Sequence, residues 1–259
     1  MEVRSKKGEI LIIDAGSGLR NLGYSLAGEK ARKITMLFTH AHLDHLMGFP
    51  FFVPLFSGAM KLTLVGPRLN KKSFHDVMAD FLDQPYFPVQ LGDKDIRSKL
   101  EFRDIDVKPF SVGSFKILPI ELSHPKNGGR GYRIEEGGKS FVFLTDNELG
   151  YIHGGGRCFD DYVEFASGAD LLIHDAEYTR KDYRHILAVS EQPWGHSLFT
   201  DATNLAVEAK VRRFGLFHHN QKRTDAQVDA MVKNARTIIR KKRSAVECFA
   251  VGSSFALNL

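Results

Sequence analysis

Phe38-Thr39-His40-Ala41-His42-Leu43-Asp44-His45-Leu46-Met47-Gly48-Phe49 puts four metal-competent side chains within six positions. The run before it, Ile34 to Phe38, is apolar and β-prone. The run after it, Leu46 to Phe52, is apolar again, with Gly48 and Pro50 stopping any long helix. The cluster therefore falls where a buried strand gives way to a loop, the usual place for a site in an α/β protein. His40 and His42 project from one side of an extended backbone, because side chains repeat every second residue, so both rings can reach one ion. Asp44 and His45, further round the loop, can reach a second. Imidazole with carboxylate suits zinc, manganese or iron better than calcium or magnesium. So short a loop cannot enclose two ions, and further ligands must come from elsewhere in the chain.

The bulk properties are those of a globular protein. The chain has 259 residues, 43% hydrophobic and 26% charged, enough for a substantial core. It carries no apolar run of the ~18 residues a membrane span needs. Its start, Met1 to Lys7, lacks the apolar centre of a secretory signal. Cys158 and Cys248 are isolated, which excludes a disulfide framework and a Cys-x-x-Cys zinc site. A cytoplasmic location is expected. The net charge of +5 favours anionic partners such as phosphates or nucleic acid, although Lys241-Lys242-Arg243 reads equally well as a solvated helix end.

Outward from the cluster, Glu9 to Asp14 reads as a buried strand delivering Asp14 to the turn Ala15-Gly16-Ser17-Gly18. Asp14 either braces a metal ligand from behind or simply forms the turn. No strand is expected ahead of this one. Helices are expected over Leu19–Ala27, Lys72–Phe81, Tyr162–Ala166, Thr200–Lys210 and Thr224–Lys242. Strands are expected over Lys61–Val65, Ser140–Leu144, Ala169–His174 and Arg213–Phe217, with a closing one in Glu247–Asn258. Phe102–Pro109 and Ser114–Glu121 alternate as in a meander. Gln84 to Val89 is an aromatic stretch held extended by its prolines, for packing over a sheet edge rather than for a lip beside the metals. Gly154-Gly155-Gly156 lacks the Lys-Ser/Thr of a phosphate loop and reads as a flexible connection.

Several polar residues follow strands or sit in glycine-rich turns: His124 in Ser123-His124-Pro125 ahead of Gly131-Tyr132-Arg133-Ile134, Asp146 in Thr145-Asp146-Asn147-Glu148, Asp175 in Asp175-Ala176-Glu177-Tyr178-Thr179, His196 in Trp194-Gly195-His196-Ser197, and His218 in His218-His219-Asn220. Taken singly each has an ordinary reading as a turn or cap residue.

Together with the His-x-His-x-Asp-His run, this order resembles the metallo-β-lactamase superfamily, in its ribonuclease Z-like and cyclic phosphodiesterase branch. The His124 and Gly-Tyr-Arg-Ile segment is similar to that branch. Asp175 to Thr179 resembles its His-Glu-Ala-Thr segment, with Asp at the acidic position. Gly195-His196-Ser197 resembles its Gly-His-Ser-Thr, with Leu198 in the Thr position. The resemblance implies one αββα four-layer sandwich domain over residues 1–259, lacking the first strand of the family pattern. It implies two divalent metals, zinc first, with manganese or iron as substitutes. His40, His42 and His124 would hold one, and Asp44, His45 and His218 the other, with Asp146 between them. His219 would then be exposed or stand behind the ligands, and Glu148 is left out of the set. A water between the ions, its pKa drawn towards neutrality, would attack a phosphodiester. Asp44, Asp175 and His196 are the expected catalytic residues, with His196 the general acid and Asp175 its hydrogen-bond partner. A small cyclic phosphodiester or cyclic nucleotide is the first expected substrate. The first alternative is tRNA 3′ processing, against which stands the lack of a long Gly/Pro-rich arm; the second is a catalytically silent metal-binding regulator. No membrane partner is expected, nucleic acid is not favoured, and a homodimer is left open.

Overall fold

Ile10-Leu11-Ile12-Ile13 is buried at every position, the mark of a parallel strand covered on both faces rather than of an alternating edge. In the computed structural model, which describes residues 1–28, 33–58, 60–126, 128–190, 192–253 and 255–259, this run is β2 (Ile10–Ile13) of the first of two compact units, Met1–Ser114 and Phe115–Leu259.

In the first unit the sheet order is β1 (Glu2–Arg4), β2, β3 (Lys33–Leu37), β4 (Lys61–Pro67), β5 (Lys99–Ile105). β2 to β5 run parallel. β1 pairs antiparallel with β2, a strand of three residues absent from the sequence expectation, too short to show a period of its own. α1 (Leu19–Ala27), α2 (Leu43–Leu46), a 3-10 turn (Phe49–Phe51), α3 (Pro54–Ser57) and α4 (Phe74–Phe81) connect the strands, and β6 (Phe110–Val112) comes last. The expected start of α4 at Lys72 moves to Phe74 because Ser73 caps it, accepting from the Asp76 N–H in a capping box. Phe38, Phe49, Phe52 and Phe74 are buried in one core with Ile12, Met36 and Leu64. Each such side chain contributes on the order of 1.5–3 kcal/mol. In the aromatic stretch the expected packing is split: Phe87 lies against this core, while Tyr86 is 85% exposed. β5 also departs from the meander reading, since it joins β4 in parallel.

The second unit does contain a meander. β7 (Phe115–Leu122), β8 (Gly129–Glu136) and β9 (Lys139–Leu144) pair antiparallel in turn. The turn between β8 and β9 uses Gly137 and Gly138 at φ 56° and 77°. β10 (Leu171–Asp175), β11 (Arg213–Phe217) and β12 (Glu247–Ala250) then add in parallel beside β9. The closing strand is shorter than the expected Glu247–Asn258, and residue 254 of that stretch lies outside the described residues. α5 (Phe159–Ala166), α6 (Arg180–Val189), α7 (Phe199–Glu208) and α8 (Asp225–Lys241) complete the unit. α6 was not expected from the sequence; Tyr183, Ile186 and Leu187 stand at helical spacing in it, but only Ile186 is buried. Since β7, β9, β10 and β11 share one direction, their carboxyl ends deliver His124, Asp146, Asp175 and His218 to one edge of this sheet.

Candidate metal and catalytic residues

In the first unit one carboxylate holds two of the site histidines. Asp14 follows β2 with φ at 58°, a left-handed backbone that Asp tolerates better than most residues. Its Oδ1 accepts the Thr39 N–H at 2.7 Å and its Oδ2 accepts the Thr39 hydroxyl at 2.8 Å. Oδ2 also accepts from His45 Nδ1 at 2.8 Å. The Thr39 hydroxyl has one proton and spends it on Asp14, so His40 Nδ1, 3.0 Å from Thr39 Oγ1, must donate to it. Both His40 and His45 are thereby fixed with the proton on Nδ1 and the lone pair on Nε2. Of the two readings of Asp14, the bracing one is what these contacts describe.

His40 Nε2 lies 3.0 Å from His42 Nδ1, so the two rings do converge on one point. Asp44 Oδ2 lies 3.3 Å from His45 Nε2. Gly48 does more than stop a helix: its N–H donates to Ala15 O at 2.7 Å, and a Cβ on it would meet Gly16 O at 2.1 Å. No larger residue could bring the histidine loop that close to the turn after β2.

In the second unit each site residue has its own partner. His124 is buried and donates from Nδ1 to Gly195 O at 3.0 Å. Asp146 is 2% exposed and has φ at 47°. It accepts the Thr145 hydroxyl at 2.7 Å and lies 3.4 Å from His218 Nε2. His218, with φ at 54°, donates from Nδ1 to Glu177 Oε2 at 3.0 Å. Non-glycine residues held in this region at strand ends are a mark of functional sites.

Asp175 is fully buried. Its Oδ2 accepts from His196 Nδ1 at 2.7 Å and from the Asn147 N–H at 3.3 Å, and its Oδ1 accepts the Glu177 N–H at 2.9 Å. The expected Asp175–His196 pair is thus present. The His196 ring stacks on His218 with centroids 4.7 Å apart. It does not cap α7, whose N-cap is Leu198. Burial alone would discharge the ring, but the Asp175 charge and hydrogen bond, with Asp146 and Glu177 beyond, raise its pKa to about 9. His219 is half-buried, and burial pushes its pKa down.

Two acidic residues stand outside the set expected from the sequence. Glu177 grips His218 and, through Oε1, accepts from Asn220 at 3.0 Å. It stands two residues past Asp175, and that proximity was its only signal. Glu148, set aside in the sequence reading, is 1% exposed and accepts from His153, Gly195 and Tyr183.

The donor chemistry fits divalent metal. Among the described residues, His40, His45, His124 and His218 each have Nδ1 engaged by a protein acceptor, which puts the ligating lone pair on Nε2. Asp175, His196 and His218 also offer ligand atoms within 4.8 Å of one another. The Asp175 oxygens, however, are already committed to three N–H groups.

Comparison with known sequences places this arrangement in a class. The profile of the beta-lactamase superfamily domain matches residues 10–219, and the chain belongs to that family. Within it the chain is a hydrolase of the ribonuclease Z-like and phosphodiesterase branch. It is 25% identical over 261 residues to a ribonuclease Z of Sulfurisphaera tokodaii, covering 89% of this chain and 85% of that protein. Among solved structures it is similar to the metallo-β-lactamase fold protein YhfI of Bacillus subtilis (TM-score 0.67, 19% identity, 98% of this chain and 88% of that one). It is also similar to a diphosphatase of the PhnP family (TM-score 0.63, 19% identity, 97% and 81%). The two sheets and flanking helices are the metallo-β-lactamase fold. Among the described residues no helix is long and apolar enough to cross a membrane.

Proposed function

We propose that the chain is a metal-dependent phosphodiesterase acting on a small cyclic phosphodiester or cyclic nucleotide, residues 1–259 working as one domain. The family match, which runs through both units, supports the single domain. His40, His42 and His124 would hold one ion, and Asp44, His45 and His218 the other, with Asp146 shared. Zinc suits the imidazole-rich set best, with manganese or iron as substitutes. Bound cations would supply an activated water and offset the charge on the phosphate.

The observation that carries the reading is the Asp175–His196 pair beside Asp146 and His218. A phosphodiester releases an alkoxide, which needs a proton as it leaves. Asp175 accepts the Nδ1–H of His196, which leaves Nε2, 3.6 Å from Glu177 Oε2, as the nitrogen that would face a substrate. His196 would donate from there to the leaving oxygen. Asp44, half-exposed on its loop, would take the proton of the attacking water. A second reading, RNA 3′ processing, is favoured by the curated ribonuclease Z relatives. Against a tRNA-holding arm in the loop after β9, Tyr151 and His153 are tied down by Ser123 and Glu148.

The test is a panel on metal-reconstituted protein: bis(p-nitrophenyl) phosphate, cyclic nucleotides, a ribose cyclic phosphate and a tRNA precursor. A small cyclic ester should be turned over best, and kcat/KM should fall only modestly with salt. A tRNA precursor that wins the panel, with affinity falling by orders of magnitude between about 50 and 200 mM salt, would give the place to the second reading. No turnover on any of them after adding zinc or manganese would leave a silent metal-binding protein.

A further inference from the structure

Asp146 is followed by Asn147-Glu148-Leu149, and all three residues grip the turn Gly195-His196-Ser197. The Ser197 hydroxyl donates to Asn147 O at 2.6 Å and accepts the Leu149 N–H at 3.0 Å. Glu148 Oε2 accepts the Gly195 N–H at 3.0 Å and His153 Nε2 at 2.8 Å, while Oε1 accepts the Tyr183 hydroxyl at 2.5 Å. The Glu148 N–H itself donates to Ser123 O at 2.8 Å, next to His124. A carboxylate buried this completely is costly unless satisfied, and here each of its three donors comes from a different segment.

Gly195 is the pivot. Its φ is 88°, and a Cβ on it would stand 2.2 Å from His124 Nδ1. Its N–H is held by Glu148, and its carbonyl accepts from His124 Nδ1. That carbonyl fixes the His124 ring and the nitrogen that keeps its proton. The next residue is His196.

We propose that Glu148 is a positioning residue: by holding the Gly195 N–H, it aims the Gly195 carbonyl at His124 and sets the His124 tautomer, while orienting the His196 turn. The inference rests on the metal-ligand reading of His124 only for its consequence, not for its geometry. Glu148→Gln keeps an oxygen for Gly195 and an NH2 for the Tyr183 oxygen. Glu148→Ala removes both.

The experiment is 15N NMR of the histidine rings in the full chain, first without added metal and then with zinc, alongside zinc affinity by chelator competition. In the wild type and in Glu148→Gln, His124 should show a single tautomer with the proton on Nδ1. In Glu148→Ala it should show a mixture, and zinc affinity should drop by roughly 10–100-fold, the usual loss when a ligand's outer partner is removed. Glu148→Asp, whose carboxylate is one methylene short of the Gly195 N–H, should show the same mixture and decides the matter if Glu148→Ala does not fold. An unchanged His124 signature in Glu148→Ala, or in Glu148→Asp should the former not fold, overturns the proposal and leaves Glu148 a purely structural group. If the wild type shows the expected tautomer yet binds no metal, the functional reading fails and the positioning role stands.

Discussion

The two units support their histidines in opposite ways. In the first, His40, His42, Asp44 and His45 lie within one short loop, and Asp14 alone reaches two of the three rings, one directly and one through Thr39. In the second, His124, Asp146, Asp175, His196 and His218 come from the ends of four strands and a separate turn. Each has its own acceptor: Gly195 O, Asp175 or Glu177 for the rings. Where one strand end and its loop supply everything, one carboxylate is enough. Where the residues arrive from distant parts of the chain, a buried polar network has to align them. The first arrangement concentrates risk in a single residue, and the second distributes it.

The largest effects should come from the ligands themselves, and they should be equal in the two units. His42→Ala and Asp146→Ala should each bring hydrolysis to background with the sheets intact, since neither side chain belongs to an apolar core. Bound metal and turnover by His42→Ala would show that the ligand assignment in the first unit is wrong. Next comes His196→Ala, which should leave metal content unchanged. It should cost on the order of 10²–10⁴-fold with a poor alkoxide leaving group and little with p-nitrophenolate, which departs without a proton. Equal losses on both substrates would make His196 a group that positions phosphate and remove it from the acid role.

How much of this was legible follows the same division. The His-x-His-x-Asp-His loop could be read directly because ligand geometry there is local: strand periodicity puts His40 and His42 together. β11 and α1 match their expected bounds for the same reason, since their apolar patterns are short-range. Glu177 and Glu148 could not be read, because what makes them matter is tertiary contact with His218, Gly195 and Tyr183, up to 47 positions away. An acidic residue in a turn carries no sequence mark of being buried. β1 was missed for lack of length, and α6 because its apolar residues at 183, 186 and 187 sit in a mostly polar stretch. Gly48 was seen as a helix breaker, whereas its contact with Gly16 depends on two loops meeting.

The contrast between concentrated and distributed support makes Asp14→Ala and Glu177→Ala a matched pair. Glu177→Ala releases only His218 among the candidate ligands, and a loss of metal affinity near the lower end of about 10–100-fold is expected. Asp14→Ala releases His40 and His45 together and should lose affinity at or above the upper end of that range. It should also lower Tm, because the Thr39 N–H is left buried without an acceptor, at a cost of about 1–3 kcal/mol. Chelator competition and thermal melting measure both. Equal losses from the two substitutions would mean that Asp14 acts on one ring only.

The smallest effect separates the two arms of Asp14. Thr39→Val keeps the shape of the side chain and the N–H bond to Asp14 Oδ1, and it leaves His45 bonded to Oδ2. Only the hydroxyl is lost, the group that accepts the His40 Nδ1–H and donates its own O–H to Asp14. His40 would then have no acceptor in Thr39, and its ring would no longer be fixed as a donor on Nδ1. Stability should fall by about 1–3 kcal/mol, the net worth of the two hydrogen bonds the hydroxyl makes. Metal affinity should fall by less than about 10-fold, below the range for a full outer-partner loss, because the other arm still holds. Thr39→Ser retains the hydroxyl and should behave as wild type. A loss in Thr39→Val as large as in Asp14→Ala would mean that the whole influence of Asp14 passes through the hydroxyl, and the direct bond to His45 would count for nothing in metal binding.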